Sequence, residues 1–252
     1  MTSRLAELEA SLAAVRARIA AACAEADRDS SEITLVAVTK TFPASDIMLL
    51  SQLGVTDIGE NKDQEAAQKA AACAASGLAV RWHFVGQLQV NKAASVARYA
   101  GMVHSVDRLR LAEALGRRSR AAGRVISCLV QVSLDDPGLP AGRGGAGWGG
   151  AGRGGAGRGG AEPAEVGDLA AAIAAQDSLR LAGVMGIAPL GKPARPAYAR
   201  LRQIAETVRA DYPGAQVISA GMSGDMGEAI AEGATLVRIG TALLGGRPPL
   251  LR

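Results

Sequence analysis

Aromatic residues make up only 3% of this 252-residue chain, and there are two histidines and three cysteines. A core so short of rings must be aliphatic, built from the Leu, Val, Ile and Ala that dominate the 48% of hydrophobic residues. Cys23, Cys73 and Cys128 are odd in number and widely spaced, with no CxxC. That excludes a disulfide framework and a zinc site, and leads us to expect reduced thiols in a cytoplasmic protein. No apolar run reaches the roughly 18 residues of a membrane-spanning helix. The first residues lack a basic stretch followed by an apolar one, so no signal peptide and no membrane partner are expected. The net charge of +4 is too diffuse to call for a nucleic-acid partner.

What is present is a regular alternation. Residues 3–27 form an expected amphipathic helix, with Leu5, Leu8, Leu12, Val15 and Ile19 at helical spacing. Eight short apolar segments follow, expected as strands at 33–38, 57–58 with its flanks, 82–85, 102–106, 125–132, 181–186, 216–219 and 236–239. Helices are expected at 44–53, 62–75, 91–99, 107–121, 163–175, 195–210 and 225–232. Asp107 and Asp225 are the expected N-caps of two of them. Eight strands with helices between them in roughly 250 residues predict a single α/β domain, a (β/α)8 TIM barrel over residues 1–252 with an extra N-terminal helix. An open doubly wound sheet is the alternative, but it normally carries a Gly-rich phosphate loop after its first strand. Here that strand runs into Thr39-Lys40-Thr41.

One segment stands apart. Residues 142–161 are four pentads, Gly-Arg-Gly-Gly-Ala three times and Gly-Trp-Gly-Gly-Ala once. The glycine spacing excludes collagen, and the composition cannot bury enough surface to offset its ordering entropy. A flexible loop after the fifth strand is expected. An Arg-Gly-Gly RNA-binding segment is the alternative.

Three features carry chemistry. Lys40 closes the apolar run that begins at Ile33, where burial can lower an amine's pKa and make it nucleophilic toward a carbonyl. Near the C-terminus, Gly221-Met-Ser-Gly-Asp225 follows one strand and Gly240-Thr241 follows the next. These are the seventh and eighth strands, whose loops bind phosphate in barrels; Ser223 and Gly224 sit at the centre of the first turn. Arg238 lies inside the eighth strand, sharing a face with Leu236 and Gly240. A strand-edge salt bridge would account for it. In a closed barrel it must have an acceptor, and a pyridine nitrogen could serve. Amine, phosphate site and ring-nitrogen partner together describe pyridoxal 5′-phosphate.

The chain resembles the pyridoxal phosphate homeostasis protein family, which has the barrel of alanine racemase without its second domain. The resemblance rests on Leu35-Val-Ala-Val-Thr-Lys40, Ile58-Gly-Glu-Asn-Lys62, the stretch from Trp82 to Lys92, His104-Ser-Val-Asp107, Gly183-Val-Met-Gly186, Gly221-Met-Ser-Gly-Asp225 and Val237-Arg-Ile-Gly-Thr241. It implies a Schiff base on Lys40 and places Asn61 near the ring substituents. It also implies phosphate contacts from Ser223, Gly224, Gly240 and Thr241, and Arg238 at the pyridine nitrogen. An arginine there leaves that nitrogen unprotonated, which suits a carrier or buffer of the cofactor better than an enzyme with turnover. Apo-forms of enzymes that use the cofactor are the implied recipients. The chain departs from the family after the fifth strand, where the pentads supply arginines in place of a lysine-bearing segment.

Other residues have two readings. Asn61 could cap the helix from Lys62. Met185 could pack on the ring or in the core. Lys92 is a second amine near the mouth or a solvated helix start. His83 and His104 read as satisfied barrel histidines, since no Cys or acid is spaced to make a metal site with them. A racemase of low activity is the alternative function. It needs a second acid/base opposite the lysine, which a second domain supplies in alanine racemases. Without that domain a monomer is expected.

Overall fold

The computed structural model describes residues 3–135 and 159–246. Its centre is a closed barrel of eight parallel strands in sequence order, with the first strand also paired to the last. The strands are β1 Thr34–Val38, β2 Asp57–Glu60, β3 Arg81–Phe84, β4 Met102–Val106, β5 Ile126–Gln131, β6 Leu179–Met185, β7 Val217–Ser219 and β8 Leu236–Ile239. Around them lie α1 Arg4–Glu25, α2 Ala44–Gln52, α3 Asp63–Ala75, α4 Ala93–Tyr99, α5 Leu109–Ala121, α6 Val166–Ala174, α7 Ala194–Asp211, α8 Met226–Ala231 and α9 Thr241–Leu244. The expected barrel and its N-terminal helix are both present, and β4 and β8 keep their expected bounds. Among the described residues no helix is long and apolar enough to cross a membrane.

The barrel interior is filled by a small apolar cluster of Val36, Met102, Leu129, Ala182, Met185 and Leu236. Strand alternation puts these side chains inward and hands their neighbours to the helices. The extra helix α1 buries Leu8, Leu12, Val15, Ile19 and Cys23, the stripe read from the sequence plus one thiol. It packs beside α8 and α9. Its Arg18 donates to the Ser223 carbonyl at 2.7 Å and its Arg4 to the Leu244 carbonyl at 3.0 Å. Arg28, just past the helix, donates to the carbonyls of Ile230 and Ala234.

The capping expectations need correcting. Helix α5 starts at Leu109 with Arg108 in the N-cap position, and the Asp107 carboxylate pairs with the Arg108 guanidinium instead of capping. Asp225 occupies the N-cap position of α8 but makes no cap bond. Its carboxylate turns back to accept from Met222 N–H at 2.6 Å and the Tyr198 hydroxyl at 2.8 Å. The helix expected from residue 163 opens as a 3-10 turn, Pro163–Glu165, carrying a Glu162/Glu165 capping box. Of the pentad repeat, residues 142–158 lie outside the described residues. Its last residue, Ala161, bridges to Val132 beside β5.

Candidate functional site

At the C-terminal ends of β1 and β8 a cavity of about 220 Å³ is lined by Lys40, Thr41 and Phe42 after β1, by Ser223 after β7, and by Arg238, Gly240 and Thr241 of β8 and its turn. Val38, Val85, Met222 and Gly245 complete the wall. Five of the eight residues expected from sequence therefore share one cavity. Asn61, Met185 and Gly224 do not line it. Asn61 follows β2, sits outside α3 with Lys62 as the N-cap residue, and has a buried Oδ1 without a hydrogen-bond partner. Met185 is buried in the barrel interior. Gly224 is exposed in its turn. Lys92 is also outside the cavity, with its amine 4.0 Å from Asp63.

The backbone on either side of Lys40 is tied to α3. Lys69, on the inward face of that helix, is 7% exposed. Its amine donates to the Thr39 carbonyl at 2.8 Å, to Glu60 Oε1 at 2.7 Å and to Glu65 Oε1 at 2.6 Å. Glu60 Oε1 also accepts the Thr39 hydroxyl, and Glu65 Oε1 also accepts Thr41 N–H at 2.6 Å. Burial pushes the Glu60 carboxyl above its ordinary range, and the Lys69 charge and hydrogen bond oppose that rise. Thr41 has φ +70°. That left-handed geometry costs a β-branched residue on the order of 1–3 kcal/mol. The bond to Glu65 helps hold it, and the turn presents Lys40 to the cavity.

The opposite wall comes from the two late turns. Ser223 Oγ accepts Ala242 N–H at 3.4 Å, linking the turn after β7 to the start of α9. Gly221 adopts φ +87°, and a Cβ there would lie 2.7 Å from that of Ala229. The first turn therefore needs glycine to fold back over α8.

Arg238 is 5% exposed. Its Nη1 donates to the Ser219 carbonyl at 2.8 Å and to Ser219 Oγ at 2.5 Å, and its Nη2 to the Gly186 carbonyl at 3.0 Å. These bonds use three of a guanidinium's five donors. Burial lowers its pKa from the ordinary value, while Tyr198 and Asp225 act to raise it. The acceptor that a barrel arginine requires is thus partly supplied by the protein itself, and among the described residues Arg238 makes no salt bridge.

Ser219 continues into a buried polar line through the barrel. His104 Nδ1 lies 2.9 Å from Ser219 Oγ, His104 Nε2 lies 2.9 Å from His83 Nδ1, and His83 Nε2 lies 2.9 Å from Asp57 Oδ1. The two histidines are therefore each other's partners, which their separation in sequence hid. Burial, reinforced by His83 and Arg238, holds the His104 imidazole well below its ordinary pKa. The groups facing it are His83 from β3, Ser219 from β7 and Arg238 from β8, with Asp57 beyond His83. An unfolded chain protonates this imidazole near pH 6.5, and the folded chain does not. Stability should therefore fall as pH drops below about 6.5, by up to about 1.4 kcal/mol per pH unit from this group, until the lowered folded pKa is reached. Urea midpoints at several pH values should show a shallower acid dependence in His104→Gln. An unchanged slope would rule this out.

A larger cavity of about 590 Å³ lies at the other end of the barrel, among α1, the starts of β1 and β2, and Asp57. Its lining includes no lysine and no strand-end turn. In barrels of this type ligand chemistry sits at the C-terminal face, so the smaller cavity is the candidate site.

The closed barrel, with an amine after β1, an arginine inside β8 and the turns after β7 and β8 around one cavity, is similar in fold to the barrels of alanine racemases. The alanine racemase N-terminal domain family matches residues 152–248. A pyridoxal phosphate homeostasis protein of Mycobacterium bovis is 41% identical over 97% of this chain and 94% of its own length. That of Escherichia coli K12 is 37% identical over 94% and 95%. The structure of PipY from Synechococcus elongatus, solved with PLP bound, superimposes with a TM-score of 0.75 at 30% identity, covering 94% of this chain and all of that one. The chain belongs to the pyridoxal phosphate homeostasis protein family.

Proposed function

We propose that this chain binds pyridoxal 5′-phosphate as a Schiff base on Lys40 and serves in the cell as a carrier or buffer of that cofactor, without robust turnover. The observation that carries the reading is that Arg238 and Lys40 line one cavity together with Ser223, Gly240 and Thr241. The names of the relatives and the PLP-bound PipY structure support it.

The residues fit the group. When bound, pyridoxal 5′-phosphate supplies an aldehyde, a phosphate and a pyridine nitrogen. Lys40 offers the amine. Ser223, Gly240 and Thr241 form the phosphate end, with Gly224 beside Ser223 in the same turn but outside the cavity lining. Arg238, which always donates, holds the ring nitrogen without protonating it. Phe42 and Val85 give apolar wall. The buried Asn61 Oδ1, short of a partner, is assigned to the ring substituents, and Met185 packs beneath from the barrel interior. Racemisation needs a second acid/base facing the lysine. Besides Lys40 and Arg238, the described lining offers only Thr41 and Thr241 and Ser223 as polar side chains, which favours holding over turnover. In this reading the chain is one cytoplasmic, monomeric barrel domain. Its recipients are apo-enzymes that use the cofactor.

The test is borohydride reduction of the protein incubated with pyridoxal 5′-phosphate, followed by peptide mass spectrometry. A phosphopyridoxyl mass on the Lys40 peptide is expected, and Lys40→Ala should lose it. No adduct in the natural protein, or one on a different lysine, would overturn the reading. Alanine racemisation well above that of the unbound cofactor would favour the racemase alternative.

A further inference from the structure

The line from Arg238 to Asp57 has a direction. A guanidinium can only donate, and an ionised carboxylate can only accept. Asp57 is in its ionised form: burial acts to raise its pKa, but the hydrogen bond from His83, the Arg81 guanidinium and the Thr56 hydroxyl hold it below the ordinary range. The three groups between the ends can each do both. With the ends fixed and both imidazoles neutral, every proton in the middle is fixed as well. Arg238 N–H donates to Ser219 Oγ, and the Ser219 hydroxyl donates to His104 Nδ1. His104 Nε2–H donates to His83 Nδ1, and His83 Nε2–H donates to Asp57. Both imidazoles are then neutral Nε2–H tautomers. The reversed line would require an added proton at its lower end, on His83 or on Asp57.

We propose that Ser219, His104, His83 and Asp57 are positioning residues that hold Arg238 in place at the cofactor cavity. The inference rests on the binding role given to Arg238 above. The contact that matters is at Ser219. Because His104 Nδ1 takes its hydroxyl proton, Ser219 must turn a lone pair toward Arg238. If His104 changed tautomer, it would donate to the same oxygen, so that Arg238 Nη1 would share its acceptor with a second donor and its bond would weaken. Arg238 has no carboxylate within contact among the described residues. Its place therefore depends on this serine and on the carbonyls of Ser219 and Gly186. Asp57, at the start of β2 and lining the cavity on the opposite face, sets the direction of the whole line without touching the cofactor site.

The chain has only two histidines, so imidazole nitrogen NMR reads the line directly, with or without cofactor. The natural protein should show two Nε2–H tautomers. Asp57→Asn, whose amide can donate, should allow the reversed pair. Asp57→Asn and Ser219→Ala should each weaken pyridoxal 5′-phosphate binding about tenfold, the equivalent of one hydrogen bond to a charged group. Both should shift the absorbance of the bound cofactor, while Ser219→Thr, which keeps the hydroxyl, restores it. Nδ1–H tautomers in the natural protein would overturn the proposal. So would unchanged tautomers in Asp57→Asn, or natural affinity in both Asp57→Asn and Ser219→Ala. Should Ser219→Ala fail to fold, Asp57→Asn decides the matter. If the natural protein does not bind the cofactor at all, it is the binding reading that fails, and the tautomer measurement still tests the line.

Discussion

Lys69→Met should lower the stability of the fold by about 3–5 kcal/mol, the usual cost of breaking a buried ion pair from one side. Methionine fills much of the same space, so a cavity is not the cause. The cause is electrostatic. All three protons of the Lys69 amine are placed, on Thr39, Glu60 and Glu65. Removing them leaves the Glu60 carboxylate buried with one hydroxyl donor on Oε1 and an Oε2 that already lacks a partner. Glu60 would then take up a proton, since burial already pushes its pKa upward. The Thr39 carbonyl would keep only the Phe42 N–H as a donor. Urea unfolding measures the loss. The double variant Lys69→Met/Glu60→Gln should recover most of it, because a neutral amide needs no counter-charge. An unchanged midpoint in the single variant, or a double variant no better than the single, would refute the account. The same substitution should loosen the turn that presents Lys40, because α3 anchors that turn from both sides.

Gly183→Ala is expected to cost about 2–5 kcal/mol, by adding overpacking of about 1–3 kcal/mol to a backbone penalty of about 1–2 kcal/mol. Gly183 sits in β6 at φ +147°, where the pairing with β5 slips register. A Cβ there would lie 1.9 Å from the Val217 carbonyl oxygen and 2.8 Å from its nitrogen. These are backbone atoms of β7, and no rotamer change relieves the overlap. To fold, the barrel would have to part β6 from β7. That would displace Gly186, whose carbonyl receives Arg238. Thermal unfolding and cofactor affinity should fall together. A variant with natural stability would show that β6 has slack the structure does not display.

These two sites differ in how far the sequence announced them. Gly183 lay in a stretch that already marked the family. Lys69 did not stand out, because a lysine among Gln and Ala on a helix reads as a solvated face until the partner strand ends are placed. The barrel itself was legible because its strands are short apolar runs separated by helices. Arg238 was legible because a charge inside such a run demands an explanation. β2 was read only as Asp57–Ile58 with its flanks, since Gly59 and Glu60 have no strand signature of their own. They hold strand geometry because Gly59 fits against Val36 and Val38 and Lys69 compensates Glu60. The histidine pair could not be read at all. His83 and His104 belong to different strands, and only the register of β3 on β4 decides that they face one another. The capping roles of Asp107 and Asp225 failed for a related reason. Each carboxylate found a stronger partner that is invisible to local pattern: an adjacent guanidinium for Asp107, a tyrosine hydroxyl and a turn amide for Asp225.

The cavity joins parts of the chain made at very different times. Lys40 and Arg238 are 198 positions apart, and the bond from Arg4 to the Leu244 carbonyl spans 240. At roughly 5–20 residues per second, a ribosome finishes the second wall about 10–40 s after the first. Until then β1 has no last strand to close against, and the helix that opens the chain waits for the one that follows β8. The Lys40 amine is therefore synthesised long before the wall that β8 supplies, and under the proposed function a newly made chain would take up the cofactor only after Thr241 has been made.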